Sequence, residues 1–207
     1  MKYEKKMMTV IFALILLSSI MLQLSGCGKS SATTSSSTTS KTSITSKTST
    51  TKQLSGNVLV TSADRNVSIN VPAGWNTSDL GLFPGAAIGV SDDTNSEYLI
   101  ITEKPKADVK ANSTINDYLN LAKSVFGLAV TKGVWGQPSN ITIGGCKGLA
   151  IQLTGLRRSD GTDTTYFVNL LESKNYFYNI SGYTLTASAD ANKSTLEKII
   201  NSFKEKD

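Results

Sequence analysis

The side chains that could carry out chemistry in this chain are few, and the thiols come first. The 207 residues contain two cysteines, Cys27 and Cys146, and no histidine. The absence of histidine excludes Ser-His-Asp and Cys-His nucleophile pairs. It also excludes the usual zinc ligand sets except those built from cysteine alone, which need more thiolates than this chain has. We therefore expect no catalytic residue, no bound metal and no cofactor.

Acidic side chains are the next candidates, and one group of them has a spacing that a cation could use. Asp92, Asp93, Asn95 and Glu97 place oxygen atoms at alternating positions. An EF-hand calcium loop needs more ligands, a central glycine and a terminal glutamate. We interpret the segment as a solvated turn, with a calcium loop as the alternative.

A second charged group surrounds the turn signal Asp160-Gly161. Arg157 and Arg158 precede this turn, and Asp163 follows it. Local pairing of these charges at a hairpin tip is one interpretation. The alternative is that the two arginines form a bidentate docking point for the carboxylates of a partner. A hydrolase that uses carboxylates alone is a remote alternative, because it needs paired acids in a cleft and the acids here lie mainly in turns.

Cys27 ends a segment that is suited to lipid modification. Residues 24–27 read Leu-Ser-Gly-Cys, after a lysine-rich start and an unbroken apolar core at 10–17. This arrangement resembles the lipobox of bacterial lipoproteins and a secretory signal peptide. The resemblance implies that residues 1–27 are the signal peptide and that the Cys27 sulfur receives a diacylglyceryl group. The protein would then be anchored at the extracytoplasmic face of the cell membrane. An uncleaved membrane-spanning anchor is the alternative, but the apolar stretch is shorter than the roughly 20 residues a spanning helix needs.

Cys146 lies among glycines, next to a predicted strand. Gly144, Gly145 and Gly148 surround it, and it has no disulfide partner once Cys27 is modified. We interpret it as a small residue that fills space. A reactive thiol or an intermolecular disulfide is the alternative.

A tether and a folded domain follow the lipobox. Between residues 29 and 53, 18 of 25 residues are Ser or Thr and four are Lys. A segment of this composition buries too little apolar surface to fold, so we expect 28–54 to be a disordered tether. The remaining residues, 55–207, carry 14 Lys and Arg against 15 Asp and Glu, a net charge of −1. A domain with this balance lacks the basic footprint of a nucleic-acid binder.

Apolar spacing predicts an α+β domain. Val67, Ile69 and Val71 alternate with polar residues, as in a half-buried strand. Ser113 is the predicted N-cap of a helix with Asp117 in its first turn. The predicted inward face of that helix comprises Ile115, Tyr118, Leu119, Ala122, Val125, Phe126 and Ala129. Further strands are predicted at 87–90, 98–102, 141–143, 149–153, 164–171 and 176–181.

The last strands and the closing helix indicate how the sheet and the helices are layered. The strand at 164–171 is apolar on both faces, with Val168 on one face and Phe167 on the other, so it needs cover on both sides. Leu196, Ile199, Ile200 and Phe203 have helical spacing and predict the closing helix. Ser194 and Glu197 form a capping-box pair, either at the start of this helix or within it. Short strands joined by tight turns favour antiparallel pairing.

Two short motifs resemble the ends of PsbP-like domains. Residues 67–75 read Val-Ser-Ile-Asn-Val-Pro-Ala-Gly-Trp, a strand that ends in proline, a turn and tryptophan. Residues 199–203 read Ile-Ile-Asn-Ser-Phe, as in the last helix of that family. The resemblance covers 57–205 and implies an antiparallel sheet flanked by helices, an α/β/α sandwich. It also implies docking and stabilising roles and not catalysis, although function varies widely across the fold.

Aromatic and cationic residues in predicted loops form the candidate binding surface. It consists of Trp75, Phe83, Trp135, Arg157 and Arg158. Aromatic side chains on loops over a rigid sheet are typical of binding faces. The alternatives are that Trp75 caps the core and that Trp135 packs at a sheet edge.

The sequence therefore predicts a lipid-anchored, non-enzymatic module. Its domain would bind an envelope protein complex as an adaptor or stabiliser. The alternative is a binder of a small molecule or a cell-wall glycan through the loop at 75–85.

Overall fold

Ten β-strands and two α-helices build the part of the chain that the structure, a computed structural model, describes: residues 56–64, 66–78 and 85–206. The strands are β1 Asn57–Thr61, β2 Val67–Pro72, β3 Ile88–Asp92, β4 Glu97–Pro105, β5 Val130–Trp135, β6 Ser139–Ile143, β7 Cys146–Arg157, β8 Asp163–Glu172, β9 Tyr176–Leu185 and β10 Lys204–Glu205. The helices are α1 Ile115–Ala129 and α2 Ala189–Asn201. All of them lie in one compact unit, Ser55–Asp207. The predicted signal peptide with Cys27 and the predicted tether lie outside the described residues.

The strands form two sheets in which every pairing is antiparallel. The main sheet has the order β3-β4-β9-β8-β7-β5, and β6 also pairs with β7. The small sheet has the order β1-β2-β10. The predicted turn at 160–161 connects β7 and β8, and a second turn at 174–175 connects β8 and β9. The predicted α+β class with antiparallel strands is confirmed.

Two apolar clusters cover the two faces of the main sheet. On one face, α2 and β2 contribute Leu196, Ile200 and Ile69 to a cluster that includes Phe167 of β8. On the other face, α1 packs on a cluster that includes Val168 of β8. The prediction that β8 is covered on both sides is therefore confirmed, and the helices lie on opposite faces of the sheet. We call these the α2 face and the α1 face.

The start of α1 differs from the prediction. Its N-cap is Thr114, whose Oγ1 accepts a hydrogen bond from the Asp117 backbone N–H at 3.3 Å. In return, Asp117 Oδ2 accepts from the Thr114 N–H at 2.8 Å. This reciprocal pair is a capping box. The Ser113 hydroxyl instead donates to the carbonyl oxygen of Lys110 at 2.7 Å, so Ser113 is not the cap.

The closing helix begins earlier than the capping-box pair. A 3₁₀ turn at Thr186–Ser188 leads directly from β9 into α2, and α2 is already helical at Ala189. Ser194 and Glu197 therefore lie within the helix. Among the described residues, no helix has the length and apolar character needed to cross a membrane.

Candidate binding surface

Trp75 follows β2 and packs against the core. Its side chain is 8 % exposed and belongs to the apolar cluster of the α2 face. A ring buried to this extent offers little area to a partner. The interpretation that Trp75 caps the core agrees with this placement. Phe83 lies outside the described residues, within 79–84, and its role in binding stays a prediction.

Trp135 lies in a strand and not in the predicted loop. It is the last residue of β5 and pairs with Leu153 of β7, at the edge of the main sheet. Its ring meets the Phe126 ring of α1 edge-on, with the centroids 5.6 Å apart. The Lys123 ammonium group lies 5.6 Å from the Trp135 centroid, within the range of a cation–π contact. Trp135 therefore fixes the end of α1 against the sheet edge.

Arg157 and Asp160 pair with each other at the tip of the β7–β8 hairpin. Arg157 Nε donates to Asp160 Oδ1 at 3.0 Å, and Arg157 Nη2 donates to Asp160 Oδ2. This bidentate pairing lowers the pKa of Asp160 to about 2. Two of the guanidinium donors are thus occupied within the chain, and they orient the Arg157 side chain.

Arg158 binds the end of α1. Its Nε donates to the carbonyl oxygen of Leu128 at 3.0 Å. A cation that binds the last carbonyls of a helix also interacts favourably with the helix dipole. The structure therefore brings Trp135 and Arg158 to the C-terminal end of α1. Arg157, the last residue of β7, directly precedes Arg158. Trp75 lies on the opposite face of the sheet.

Two exposed apolar side chains on α1 were not predicted. They are Val125 and Leu128, which are 40 % and 43 % exposed. We call these two residues the α1 stripe. The prediction that Val125 and Ala129 face inward is wrong, since both are exposed. The other residues predicted on this face do pack inward, and Leu121 joins them: Ile115, Tyr118, Leu119, Ala122 and Phe126.

Aromatic rings form a continuous row across the α1 face. Centroid distances are 5.0 Å between Tyr98 and Tyr183, 5.3 Å between Tyr183 and Tyr166, and 5.3 Å between Tyr166 and Phe126. These separations lie in the favourable range for ring pairs. The row continues from Phe126 to Trp135. It arises because Tyr98, Tyr183 and Tyr166 are directly opposite one another on β4, β9 and β8.

A small open cavity lies where this row reaches β4. Its volume is about 160 Å³. We call it the tyrosine cavity, and its lining includes Ser96, Tyr98, Arg157, Thr162, Thr164 and Tyr183. These residues come from the β3–β4 turn, three strands and the β7–β8 hairpin. Of the predicted site residues that the structure describes, Arg157 lines it.

The remaining thiol lies on the α2 face beside the C-terminal strand. Cys146 is 6 % exposed, and its sulfur donates to Glu205 Oε2 at 3.6 Å. Glu205 also accepts from the hydroxyl groups of Tyr178 and Ser173, at 2.8 and 2.9 Å. Burial, with the Glu205 charge beside it, raises the pKa of Cys146 to about 11. The thiol is therefore protonated near neutral pH and is a poor nucleophile.

The acidic segment after β3 is a turn with internal hydrogen bonds. Asp92 accepts from the Thr94 backbone N–H at 3.0 Å and from the Asn95 side chain at 2.8 Å. Glu97 is 3 % exposed, and burial together with the nearby Asp92 charge raises its pKa to about 7. Within the described part of the chain, no group of three acidic or thiol side chains is placed to hold a metal ion.

Comparison with known proteins supports the fold. No family model and no curated protein matches the sequence. Among solved structures, the cyanobacterial PsbP protein CyanoP of Synechocystis sp. PCC 6803 aligns with a TM-score of 0.53 at 14 % identity. The alignment covers 72 % of this chain and 92 % of CyanoP.

Two further solved structures align less closely. LpqN, described as involved in cell envelope biogenesis of Mycobacterium tuberculosis, gives a TM-score of 0.47 at 15 % identity, over 72 % of this chain and 90 % of LpqN. A mutant of the protein Mog1 aligns with a TM-score of 0.49 at 14 % identity, and the alignment covers 72 % of this chain and 95 % of Mog1. The CyanoP alignment alone carries the assignment, and it confirms the predicted resemblance in fold. The chain has a PsbP-like fold.

Proposed function

We propose that this chain is a lipid-anchored, extracytoplasmic module that binds a protein of the cell envelope without a catalytic step of its own. The observation that carries this proposal is the α1 stripe. Helix α1 already buries one apolar face against the sheet, and it leaves two further apolar side chains, Val125 and Leu128, partly exposed to solvent. Clustered exposed apolar side chains are typical of interaction sites.

The surroundings of the α1 stripe define the chemistry of the partner. Lys123 lies in the middle of α1, Arg158 binds the end of the helix, and the sequence of α1 contains no acidic residue after Asp117. A partner surface with apolar residues and an acidic rim would complement this pattern. Charges of that kind accelerate association and select the partner. Apolar burial contributes about 25 cal/mol per Å² removed from water, from which the cost of association is subtracted.

The stripe is also held in a fixed position. The Thr114–Asp117 capping box fixes the start of α1, and the Arg158 contact fixes its end. Phe126 packs between Tyr166 and Trp135 on the inner side. A surface that is ordered before binding loses less entropy when a partner docks.

The predicted anchor would place this surface near the membrane. If Cys27 is lipidated, the tether at 28–54 separates the domain from the lipid by about 30 Å on average. The proposal of a non-catalytic role is supported by the absence of histidine from the sequence and by the protonated, buried thiol of Cys146.

The proposal can be tested by photo-crosslinking in cells. A crosslinking amino acid replaces Val125 or Leu128 in turn, and Leu59 of β1 serves as the control because it is also apolar and 65 % exposed. We expect the same protein adduct from both α1 positions and none of it from Leu59. With the purified partner, Leu128→Asp should weaken binding about tenfold or more, whereas Leu59→Asp should not.

Two results would contradict this function. Adducts consisting of lipid would assign the α1 stripe to the membrane surface and not to a protein. The same mixture of abundant proteins at Leu59 and at the α1 positions would mean that the stripe has no specific partner.

A further inference from the structure

The aromatic row extends beyond the part of the sheet that α1 covers. Tyr118, near the start of α1, stacks on Phe177 at 5.0 Å, and Phe126, near its end, packs on Tyr166 at 5.3 Å. Tyr183 on β9 and Tyr98 on β4 continue the row and line the tyrosine cavity. Their rings are stacked with an interplanar angle of 16°. A cavity at this corner of the α1 face therefore has an aromatic lining.

We propose that the tyrosine cavity binds one pyranose ring of a neutral saccharide. The apolar C–H face of a sugar ring packs on an aromatic ring, while its hydroxyl groups need polar partners at the rim. The cavity volume of about 160 Å³ is well below the range for drug-sized ligands. It therefore suits a single six-membered ring better than an extended ligand.

The polar rim favours a neutral ligand over an anion. Arg157 is the cation in the lining, and its bidentate pairing with Asp160 balances its charge. An anion would have to compete with that carboxylate. Hydroxyl groups both donate and accept, so a sugar can share polar groups that are already paired. At this rim, Arg157 donates to the Thr162 hydroxyl and the Thr164 hydroxyl donates to the Thr162 carbonyl oxygen.

The backbone at Ser96 provides a separate argument. Ser96 ends the β3–β4 turn and has a φ of 53°, in the left-handed region where glycine is the unstrained residue. A serine at such a position costs about 1 kcal/mol. Where a glycine would have no side chain, Ser96 places a hydroxyl group at the rim of the tyrosine cavity. Strain of this kind concentrates at functional positions.

This site is independent of the proposed docking function. The α1 stripe lies on the outer side of α1, whereas the tyrosine cavity is formed by strands and turns at another corner. It also differs from the alternative of a small-molecule or glycan site in the loop at 75–85, most of which lies outside the described residues. Either proposal can fail while the other holds.

Saturation-transfer NMR on the full-length chain tests the proposal. The probes are methyl β-D-glucopyranoside and N-acetylglucosamine at millimolar concentration, and inorganic phosphate is added as a competitor. We expect saturation of the sugar ring protons that is unaffected by phosphate. Tyr98→Ala should reduce the signal at least severalfold, whereas Tyr176→Ala should not, because Tyr176 stacks on Tyr178 away from the cavity.

Ser96→Gly separates binding from folding. Glycine relieves the strained backbone, so this variant should be at least as stable as the wild type and yet bind the sugar more weakly. Three results would overturn the proposal: no saturation of either sugar, equal saturation in Tyr98→Ala, or displacement of the sugar by phosphate. The last result would assign the cavity to anions.

Discussion

The two faces of the main sheet are covered to different degrees. On the α2 face, Leu196, Ile199 and Ile200 are 0, 1 and 2 % exposed. On the α1 face, Val125 and Leu128 remain 40 % and 43 % exposed. Both helices are amphipathic and of similar length, but α1 carries large apolar side chains beyond its sheet-facing side, and the elements around the two helices also differ.

The difference follows from the number of elements on each side. The small sheet joins α2 on its face, and β2 contributes Val67, Ile69 and Val71 to the same cluster. The α1 face has one helix, which leaves an outer stripe and an open corner. The α2 face is therefore more completely covered, whereas the α1 face combines a packed centre with the exposed α1 stripe and the open tyrosine cavity.

The largest expected effect is on the α2 face. Leu196→Ala removes a fully buried side chain between α2 and the sheet. The free energy of unfolding should fall by about 3 kcal/mol, since the substitution loses apolar burial and leaves a cavity. Chemical denaturation monitored by circular dichroism measures this change.

Leu128→Ala is the matched control on α1. Since Leu128 is exposed, its removal should change the free energy of unfolding by less than about 0.5 kcal/mol. If both variants lost the same free energy of unfolding, the contrast between the two faces would be wrong, because the α1 stripe would then be part of the core.

Buried charge gives a smaller effect on the α2 face. Glu97 has its folded pKa raised from 4.5 to about 7 by burial and by Asp92. The folded state therefore holds the Glu97 proton more tightly than the unfolded state does. This contribution to stability is fully present below about pH 4.5 and is lost as the pH rises to about 7.

Glu97→Gln removes this titration. At pH 8 the variant should be more stable than the wild type by about 2 kcal/mol, and the gain should shrink as the pH falls toward 5. Thermal denaturation at a series of pH values measures the difference. Glu197→Gln, at an exposed glutamate of α2, is the control and should show no such gain. A constant difference between Glu97→Gln and the wild type at every pH would contradict the assigned pKa.

The start of α1 provides the third test. Thr114→Ala removes the side chain that accepts the Asp117 N–H and should destabilise the domain by about 1 kcal/mol. Ser113→Ala should have a smaller effect, since its hydroxyl does not cap the helix. Comparison of the two unfolding midpoints distinguishes the caps, and the reverse order would restore Ser113 as the cap.

The sequence predicted those parts of the fold that depend on local pattern. Alternation at 67–71 and two-sided apolar character at 164–171 indicated strands β2 and β8. Strand β5 was missed because Gly133, Gly136 and Pro138 suggested a loop around Trp135. Pairing with β7, across a register shift between Thr131 and Val134, makes it a strand.

The candidate sites were less predictable, for two physical reasons. Helix α1 is apolar on two sides, and helical spacing alone cannot decide whether Leu119 or Val125 faces the sheet. The tyrosine cavity joins Tyr98, Arg157 and Tyr183, which are far apart in the sequence and adjacent only through strand order. Nothing in the sequence pattern indicated the left-handed backbone of Ser96, because this conformation depends on the turn that forms around it.

The smallest expected effect concerns the ion pair beside the tyrosine cavity. Asp160 has its pKa lowered to about 2 by Arg157, so its contribution to stability is present above about pH 4 and is lost as the pH falls through 2. Because the pair is largely solvated, Asp160→Asn should change the free energy of unfolding at pH 7 by at most about 0.5 kcal/mol, and salt should reduce the change.

The exposed pair Lys104–Asp108, 3.6 Å apart, provides the matched control through Asp108→Asn. Chemical denaturation of both variants at low and high salt should give similarly small losses. Sugar binding should separate them, since only Asp160 orients a residue of the tyrosine cavity. If Asp160→Asn lowered the free energy of unfolding as much as Leu196→Ala does, the hairpin tip would be essential for stability. The contrast between the two faces would then not hold at this part of the α1 face.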